Sequence, residues 1–273
     1  MKKTLKVTVS DVEISSPDKI VFAGRTVTKL KLARYYAKVW ERMAPYVCGR
    51  VLSLVVCPNG TGEECFYKKH PASGEHIVIN DIKEMLALVQ MNTLEIHTWG
   101  SKEKNLEQPD TMVFDLDPDE GLDLKSIRQG VRDLKNVLDG LGLTCFLKTS
   151  GNKGYHVVVP FKPTEGWEVF YGFARSVAEL MQQKWPARYT TNVRKSARAG
   201  KIFVDYMRNG RGATSVVPYS VRKKTGAVAM PLAWSELNKI APDGITMAAA
   251  IRRLAKPDPW ASLANAARNQ KIK

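Results

Sequence analysis

Thr111-Met112-Val113-Phe114-Asp115-Leu116-Asp117-Pro118 is the stretch on which the fold of this 273-residue chain turns. An apolar run passes into an acid-apolar-acid alternation. That is the pattern of a strand with period two, in which both carboxylates point to one face and Leu116 to the other. Pro118 stops the ladder because it has no N–H to donate. Two like charges at one strand end repel, so such a pair is favoured chiefly where a divalent cation neutralises both.

Outward from this strand, the downstream pattern predicts a helix over 123–139, with Ile127, Val131, Leu134 and Leu138 in register, and strands at 143–148 and 155–160. A helix at 166–184, strands at 202–206 and 214–220 and a tail helix around 246–254 follow. Upstream, Thr28 is the expected N-cap of a helix to Met43, with Leu30, Ala33, Ala37, Trp40 and Met43 near one face and an end by Pro45. Short runs at 51–57, 65–70 and 76–79 read as strands, broken at Pro58-Asn59-Gly60 and Ser73-Gly74. Residues 81–91 read as helix, 94–99 as extended and 100–110 as a polar loop. The class is α+β. With no repeat and no Pro/Gly/Ser linker, a single domain over 1–273 is expected: two interlocked lobes, about 1–110 and 111–235, around a central catalytic sheet, with a tail at 236–273.

Lysine and arginine number 42 against 27 acids, a net charge of +15. From Lys184 to Lys224 there are eleven Lys/Arg and one acid, Asp205. A face solvated for its own sake usually mixes both signs, so the expected partner is a polyanion. At 44% hydrophobic residues the chain is globular, and no run of about 18 apolar residues could span a bilayer. The basic N-terminus lacks an apolar signal region. A cytoplasmic, nucleoid-associated protein with no membrane partner is expected. Cys48, Cys57, Cys65 and Cys145 form no C-x-x-C pair and are expected to be free buried thiols.

Ser150-Gly151-Asn152-Lys153-Gly154-Tyr155-His156 lies between two expected strands. Its glycines permit close backbone approach, and Ser150, Lys153 and His156 supply donors that suit a triphosphate. It is neither a Walker loop nor a dinucleotide fingerprint, and a plain hairpin turn is the competing reading. Asp205 ends the run Ile202-Phe203-Val204. Alone it could be a salt-bridge centre, but with Asp115, Asp117 and the turn it makes up a two-metal phosphoryl-transfer site for a nucleoside triphosphate.

In this order the motifs resemble the polymerase domain of bacterial and archaeal ligase D, in the archaeo-eukaryotic primase superfamily. The resemblance is carried by ISSPDKIVF (14–22), TKLKLARYY (28–36), GRVLSLVVCPNG (49–60), ECFYKKH (64–70), LEIHTWGS (94–101), FDLDPDEG (114–121), KTSGNKGYHVVVP (148–160), KIFVDYMRNGRGATSVVPYSVR (201–222) and VAMPLAWSEL (228–237). It implies a primase-like fold and a template-dependent nucleotidyltransferase that fills and extends broken DNA ends in non-homologous end joining, using Mn2+ or Mg2+. Asp115, Asp117 and Asp205 would hold the metals, and His97 takes the family's active-site histidine position. Ser150, Lys153, His156 and Arg222 would hold the triphosphate. Lys19 and Lys29 would grip a downstream 5′-phosphate, Phe66 and Tyr67 would pack on template bases, and Arg198 would lie in a basic loop linked to end synapsis. The family usually has Phe-Phe where Phe66-Tyr67 stands; tyrosine keeps the π-face. Core packing is the competing reading for Phe66, Tyr67 and His97. Ku and a separate or fused ligase are the implied partners, since no K-x-D-G nucleophile motif occurs.

Rival readings differ in what they require. A haloacid-dehalogenase-type phosphatase would use Asp115 as nucleophile but wants Thr or Val where Asp119 stands, and a late acidic pair. A non-catalytic end-bridging module could lose its carboxylates, yet all three are present. Primer synthesis without a primer remains the superfamily's other activity.

Overall fold

Two large sheets and a two-stranded hairpin make up the strands of the computed structural model, which describes residues 6–24, 26–70 and 76–272. A hairpin of β1 (Lys6–Val9) and β2 (Val12–Ser15) turns on Ser10 and Asp11, both at positive φ. Then come α1 (Lys29–Val47), β3 (Arg50–Val56), β4 (Phe66–Lys68), α2 (Ile82–Gln90) and β5 (Thr93–Lys102). Thr28 caps α1 by accepting from the Lys31 N–H at 3.2 Å, and Asp81 caps α2 by accepting from the Glu84 N–H at 2.8 Å. β6 (Thr111–Pro118), α3 (Leu124–Gly140), β7 (Phe146–Thr149), β8 (Tyr155–Pro160), α4 (Trp167–Lys184), β9 (Tyr189–Thr190) and β10 (Ile202–Asp205) build the second lobe. β11 (Ser215–Val216), β12 (Pro231–Leu232), α5 (Met247–Arg253) and α6 (Leu263–Asn269) complete the chain.

The six-stranded sheet has the order β12-β7-β8-β6-β10-β9 and the four-stranded sheet the order β11-β5-β3-β4. The expected period of two in β6 is observed. Met112, Phe114 and Leu116 are fully buried against Ile127, Val131 and Leu134 of α3 and Phe170 and Val177 of α4. Val113, Asp115 and Asp117 therefore take the other face. The lobes interlock because β11 leaves the second lobe to pair with β5, and Val217, Tyr219, Val221, Val228 and Met230 then enter the first lobe's core with Leu32, Tyr36 and Met43 of α1.

Several local expectations are corrected. α1 does not end by Pro45 but runs to Val47, because Val47 is buried in the core and Tyr46 packs edge-on against Trp260 at 5.3 Å; that packing outweighs one backbone hydrogen bond lost near the helix end. Residues 76–79 form no strand, although the Leu52 and Gly49 N–H groups donate to the carbonyls of Ile77 and Ile79. They lie on the β3 edge just where its pairing with β4 has stopped. The strand expected at 214–220 shrinks to β11, since Pro218 lacks a donor and Tyr219 has φ +70°. The 100–110 loop loses its start to β5, and β7 begins three residues later than expected. The Ser73-Gly74 break and the N-terminal Met1-Lys2-Lys3 lie outside the described residues.

The free-thiol expectation fails for two of the four cysteines. Val56 pairs with Phe66, so continuing that antiparallel register by one residue sets Cys57 opposite Cys65; they form a disulfide with a Cα separation of 4.3 Å. Spacing alone carries no such information. Cys48 and Cys145 are free. Among the described residues no helix is long and apolar enough to cross a membrane.

Candidate active site

Register decides which side chains meet. Asp115 of β6 lies opposite Asp205 of β10 on one side and His156 of β8 on the other, and His156 in turn lies opposite Lys148 of β7. Directly opposed residues share a face, so four chain-distant groups form one row across four strands: acid, acid, imidazole, ammonium. Asp117, two residues along β6, adds a third carboxylate to that face.

The 150–154 turn is held against this row by its glycines. A Cβ on Gly154 would come within 2.4 Å of the Leu116 carbonyl oxygen, so no other residue lets β8 approach β6 this closely. Gly151 has φ +70°, and a Cβ there would meet Arg222 Cγ at 2.5 Å; its absence lets the arginine lie across the turn. Asp115, Asp117, Asp205, His97, Ser150, Lys153, His156 and Arg222 all line one cavity of about 470 Å³, a size that suits a nucleotide-sized ligand. A groove of about 570 Å³ beside β7 lacks such convergence; its Lys135 and Asp139 neutralise each other at 2.5 Å.

Charge in the cavity is closely balanced. Burial alone would raise the Asp115 carboxyl, but His156, with Nε2 3.5 Å away, and Arg208 pull it down to about 2. Burial and then Lys148 push His156 down to about 4, leaving the ring neutral at pH 7. Burial and then Asp115 raise Asp117, and burial raises Asp205. Arg208 reaches Asp205 at 3.1 Å and Asp115 at 3.9 Å, while Arg198 reaches Asp117 at 3.2 Å. Among the described residues no three His, Cys, Asp or Glu side chains are gathered closely enough to be a formed ion cage. The donor set still fits hard divalent cations: carboxylate oxygens on one face, with their mutual repulsion visible in the raised Asp117. The buried His156 Nδ1, Asn152 Oδ1 and Arg222 Nε have no hydrogen-bond partner, as expected where a polar ligand completes a site.

The DNA-end residues lie on the first lobe. Lys29 is buried at the start of α1, and burial followed by Lys19 lowers its pKa. Its N–H donates to the Lys19 carbonyl at 2.8 Å, and Lys19 Nζ donates to the Pro58 carbonyl. Phe66 and Tyr67 are exposed on the outer strand β4, so neither serves the core. Arg198 stacks 3.8 Å from the Phe203 ring centroid and donates to the Val193 carbonyl at 2.6 Å, turned toward Asp117. Lys153 is exposed, 3.3 Å from Glu120.

Sequence reading missed Lys148, Arg208 and Glu95. Lys148 is fully buried and donates to the Val216 carbonyl at 2.6 Å, tying the six-stranded sheet to the four-stranded one. The signal lay in KTSG: a lysine in an otherwise apolar strand two residues before a Gly turn. Arg208, three residues after Asp205, was counted only as part of the basic run.

The α+β fold, with acidic strand ends facing a glycine turn, is of primase-polymerase architecture. Residues 28–260 match the family model described as LigD, primase-polymerase domain, and the chain belongs to that family. It is 34% identical over 281 residues to the multifunctional non-homologous end joining protein LigD of Pseudomonas aeruginosa, covering 95% of this chain and 34% of that protein. The bifunctional non-homologous end joining protein LigD of Bacillus subtilis is 30% identical over 261 residues, covering 90% of this chain and 43% of that protein. Among solved structures, the polymerase domain from Mycobacterium tuberculosis ligase D in complex with DNA matches with a TM-score of 0.83 at 28% identity, covering 89% of this chain and 94% of that one. The chain spans less than half the length of these two curated relatives.

Proposed function

We propose that this domain extends a DNA primer by template-directed nucleotidyl transfer at broken or gapped ends during non-homologous end joining. The observation that supports this best is the meeting of three carboxylates from two adjacent strands with the Ser150–His156 turn and Arg222 around one cavity. Asp115, Asp117 and Asp205 hold two divalent cations, Mn2+ or Mg2+. When bound, these draw charge from the phosphate oxygens and make the primer 3′-hydroxyl easier to deprotonate. Ser150, Lys153, His156 and Arg222 hold the triphosphate of the incoming nucleotide, with the arginine fork matching phosphate oxygens and Lys153 acting as a mobile point charge. Arg208, 3.1 Å from Asp205, and Arg198, 3.2 Å from Asp117, supply positive charge beside the carboxylates that would hold the cations.

Around that centre, Lys19 and Lys29 with the α1 N-terminus take a 5′-phosphate, Phe66 and Tyr67 stack on template bases, and the basic 184–224 segment follows the phosphate backbone. Nucleoside triphosphates, Ku and a ligase, fused or separate, are the partners of this reading, in the nucleoid. The test is primer extension on a gapped, 5′-phosphorylated template with Mn2+ or Mg2+. Extension that depends on template, primer and metal supports the reading, and a protein that leaves the primer unextended while binding the gap is an end-bridging module instead.

A further inference from the structure

Glu95 and His97 stand two residues apart on β5, so strand periodicity turns both to the same face. Glu95 is buried, and a carboxylate in that position persists as an anion only if its oxygens are engaged. They are engaged from two elements. His97 Nε2 lies 2.9 Å from Oε2, while the Lys223 N–H donates to Oε1 at 2.5 Å and Arg222 Nε lies 3.6 Å from the same oxygen. Burial works to raise this carboxyl, but His97 and Arg222 hold it below the usual carboxylate range. It is ionised at neutral pH.

An ionised carboxylate only accepts hydrogen bonds, so the His97 proton on that side sits on Nε2. Burial lowers the His97 pKa, so the ring carries no second proton and Nδ1 offers a lone pair. Among the described residues nothing donates to Nδ1, and His97 lines the cavity that holds the three carboxylates.

We propose that Glu95 is a positioning residue of this site: it fixes the tautomer of His97 so that Nδ1 meets the ligand as an acceptor. The inference rests on the reading of the cavity as a nucleotide site. Its consequence is chemical. Phosphate oxygens are acceptors at neutral pH and cannot pair with Nδ1, so His97 is excluded as a phosphate grip and reads a donor. On a nucleotide or a primer end that donor is a sugar hydroxyl. Arg222, on the other side of Glu95, faces the phosphates.

The test is equilibrium binding to wild type, Glu95→Gln, His97→Ala and the double variant. One arm uses a ribonucleoside triphosphate and its 2′-deoxy and 3′-deoxy analogues with the same base. The other uses primer-templates ending in a 3′-hydroxyl or a 3′-deoxy sugar. Wild type is expected to lose about 3- to 10-fold in affinity, the range of one neutral hydrogen bond, when the hydroxyl that His97 reads is removed. Glu95→Gln is expected to weaken the hydroxyl ligand by the same factor while leaving the deoxy ligand unmoved. The double variant should be no weaker than His97→Ala. Loss confined to the nucleotide arm assigns the hydroxyl to the incoming nucleotide, and loss confined to the primer arm assigns it to the primer end. Glu95→Gln binding every ligand like wild type, or weakening hydroxyl and deoxy ligands equally as a merely structural residue would, overturns the inference. So does a proton found on Nδ1 by ¹⁵N spectroscopy of the wild-type imidazole, a measurement that needs no variant to fold. Wild type that binds no nucleoside triphosphate overturns the nucleotide reading of the cavity as well.

Discussion

Across the six-stranded sheet, Lys148, His156 and Asp205 are only 1%, 4% and 8% exposed, whereas at the edge of the four-stranded sheet Phe66 and Tyr67 are 48% and 72% exposed. The six-stranded sheet buries these ionisable groups and the four-stranded sheet presents rings at its edge, each an inversion of the ordinary distribution. Buried charges interact strongly because little water screens them, so small displacements of a carboxylate or imidazole change protonation and cation affinity. An exposed ring does no packing for its own fold and is free to stack on something else. The first arrangement suits bond-making and the second suits holding a strand.

The comparison breaks most readily at the carboxylates. Asp117→Ala is expected to lower primer extension by at least about 100-fold through lost charge stabilisation, with affinity for gapped DNA nearly unchanged. Extension at the wild-type rate would remove Asp117 from the centre.

Lys29→Ala probes the opposite lobe. Losing one charge-assisted contact should weaken binding to a 5′-phosphorylated gap by about 10- to 100-fold and leave a 5′-hydroxyl gap almost untouched, measured by anisotropy at fixed salt. Equal losses on both substrates would make Lys29 a general backbone contact rather than an end reader.

For the aromatic edge, Tyr67→Ala should lower affinity for the template strand by about 5- to 10-fold, near the lower end of base stacking. Because the ring is exposed, the thermal midpoint should not move. A falling midpoint would return Tyr67 to the core.

The smallest effect concerns stability. Unfolded chains take up a proton on histidine near pH 6.5, but folded His156 resists until about pH 4, so protons favour the unfolded state throughout that window. The unfolding free energy from urea titrations should therefore fall as pH drops, by about 1 kcal/mol between pH 6.5 and 5.5 from this group. His156→Asn should flatten the slope. An unchanged slope would place the stability loss elsewhere.

Much of the second lobe was legible because its signals are local. Alternation in 111–117 put Asp115 and Asp117 on one face, a cap and apolar spacing marked α1, apolar spacing marked α3, and glycines marked the turn at 150–154. In the first lobe the same reasoning erred where neighbours outvote local preference: Pro45 stays helical because Tyr46 and Val47 are packed, and residues 76–79 accept two backbone hydrogen bonds without becoming a strand. Lys148 and Glu95 went unremarked because a single charge in an apolar strand reads as a local flaw until its partner is known.

The sequence by itself determined the strand ending in two carboxylates, the glycine turn, the concentration of positive charge before Lys224 and, through the order of motifs, the family. These depend on periodicity, backbone permissiveness and composition, which neighbouring residues carry among themselves. Only the tertiary structure decided that Asp205, Asp115, His156 and Lys148 form one row, that Cys57 meets Cys65, and that Glu95 joins His97 to Arg222. Strand order and register make those meetings, and each brings together residues whose separation along the chain says nothing about their distance in space.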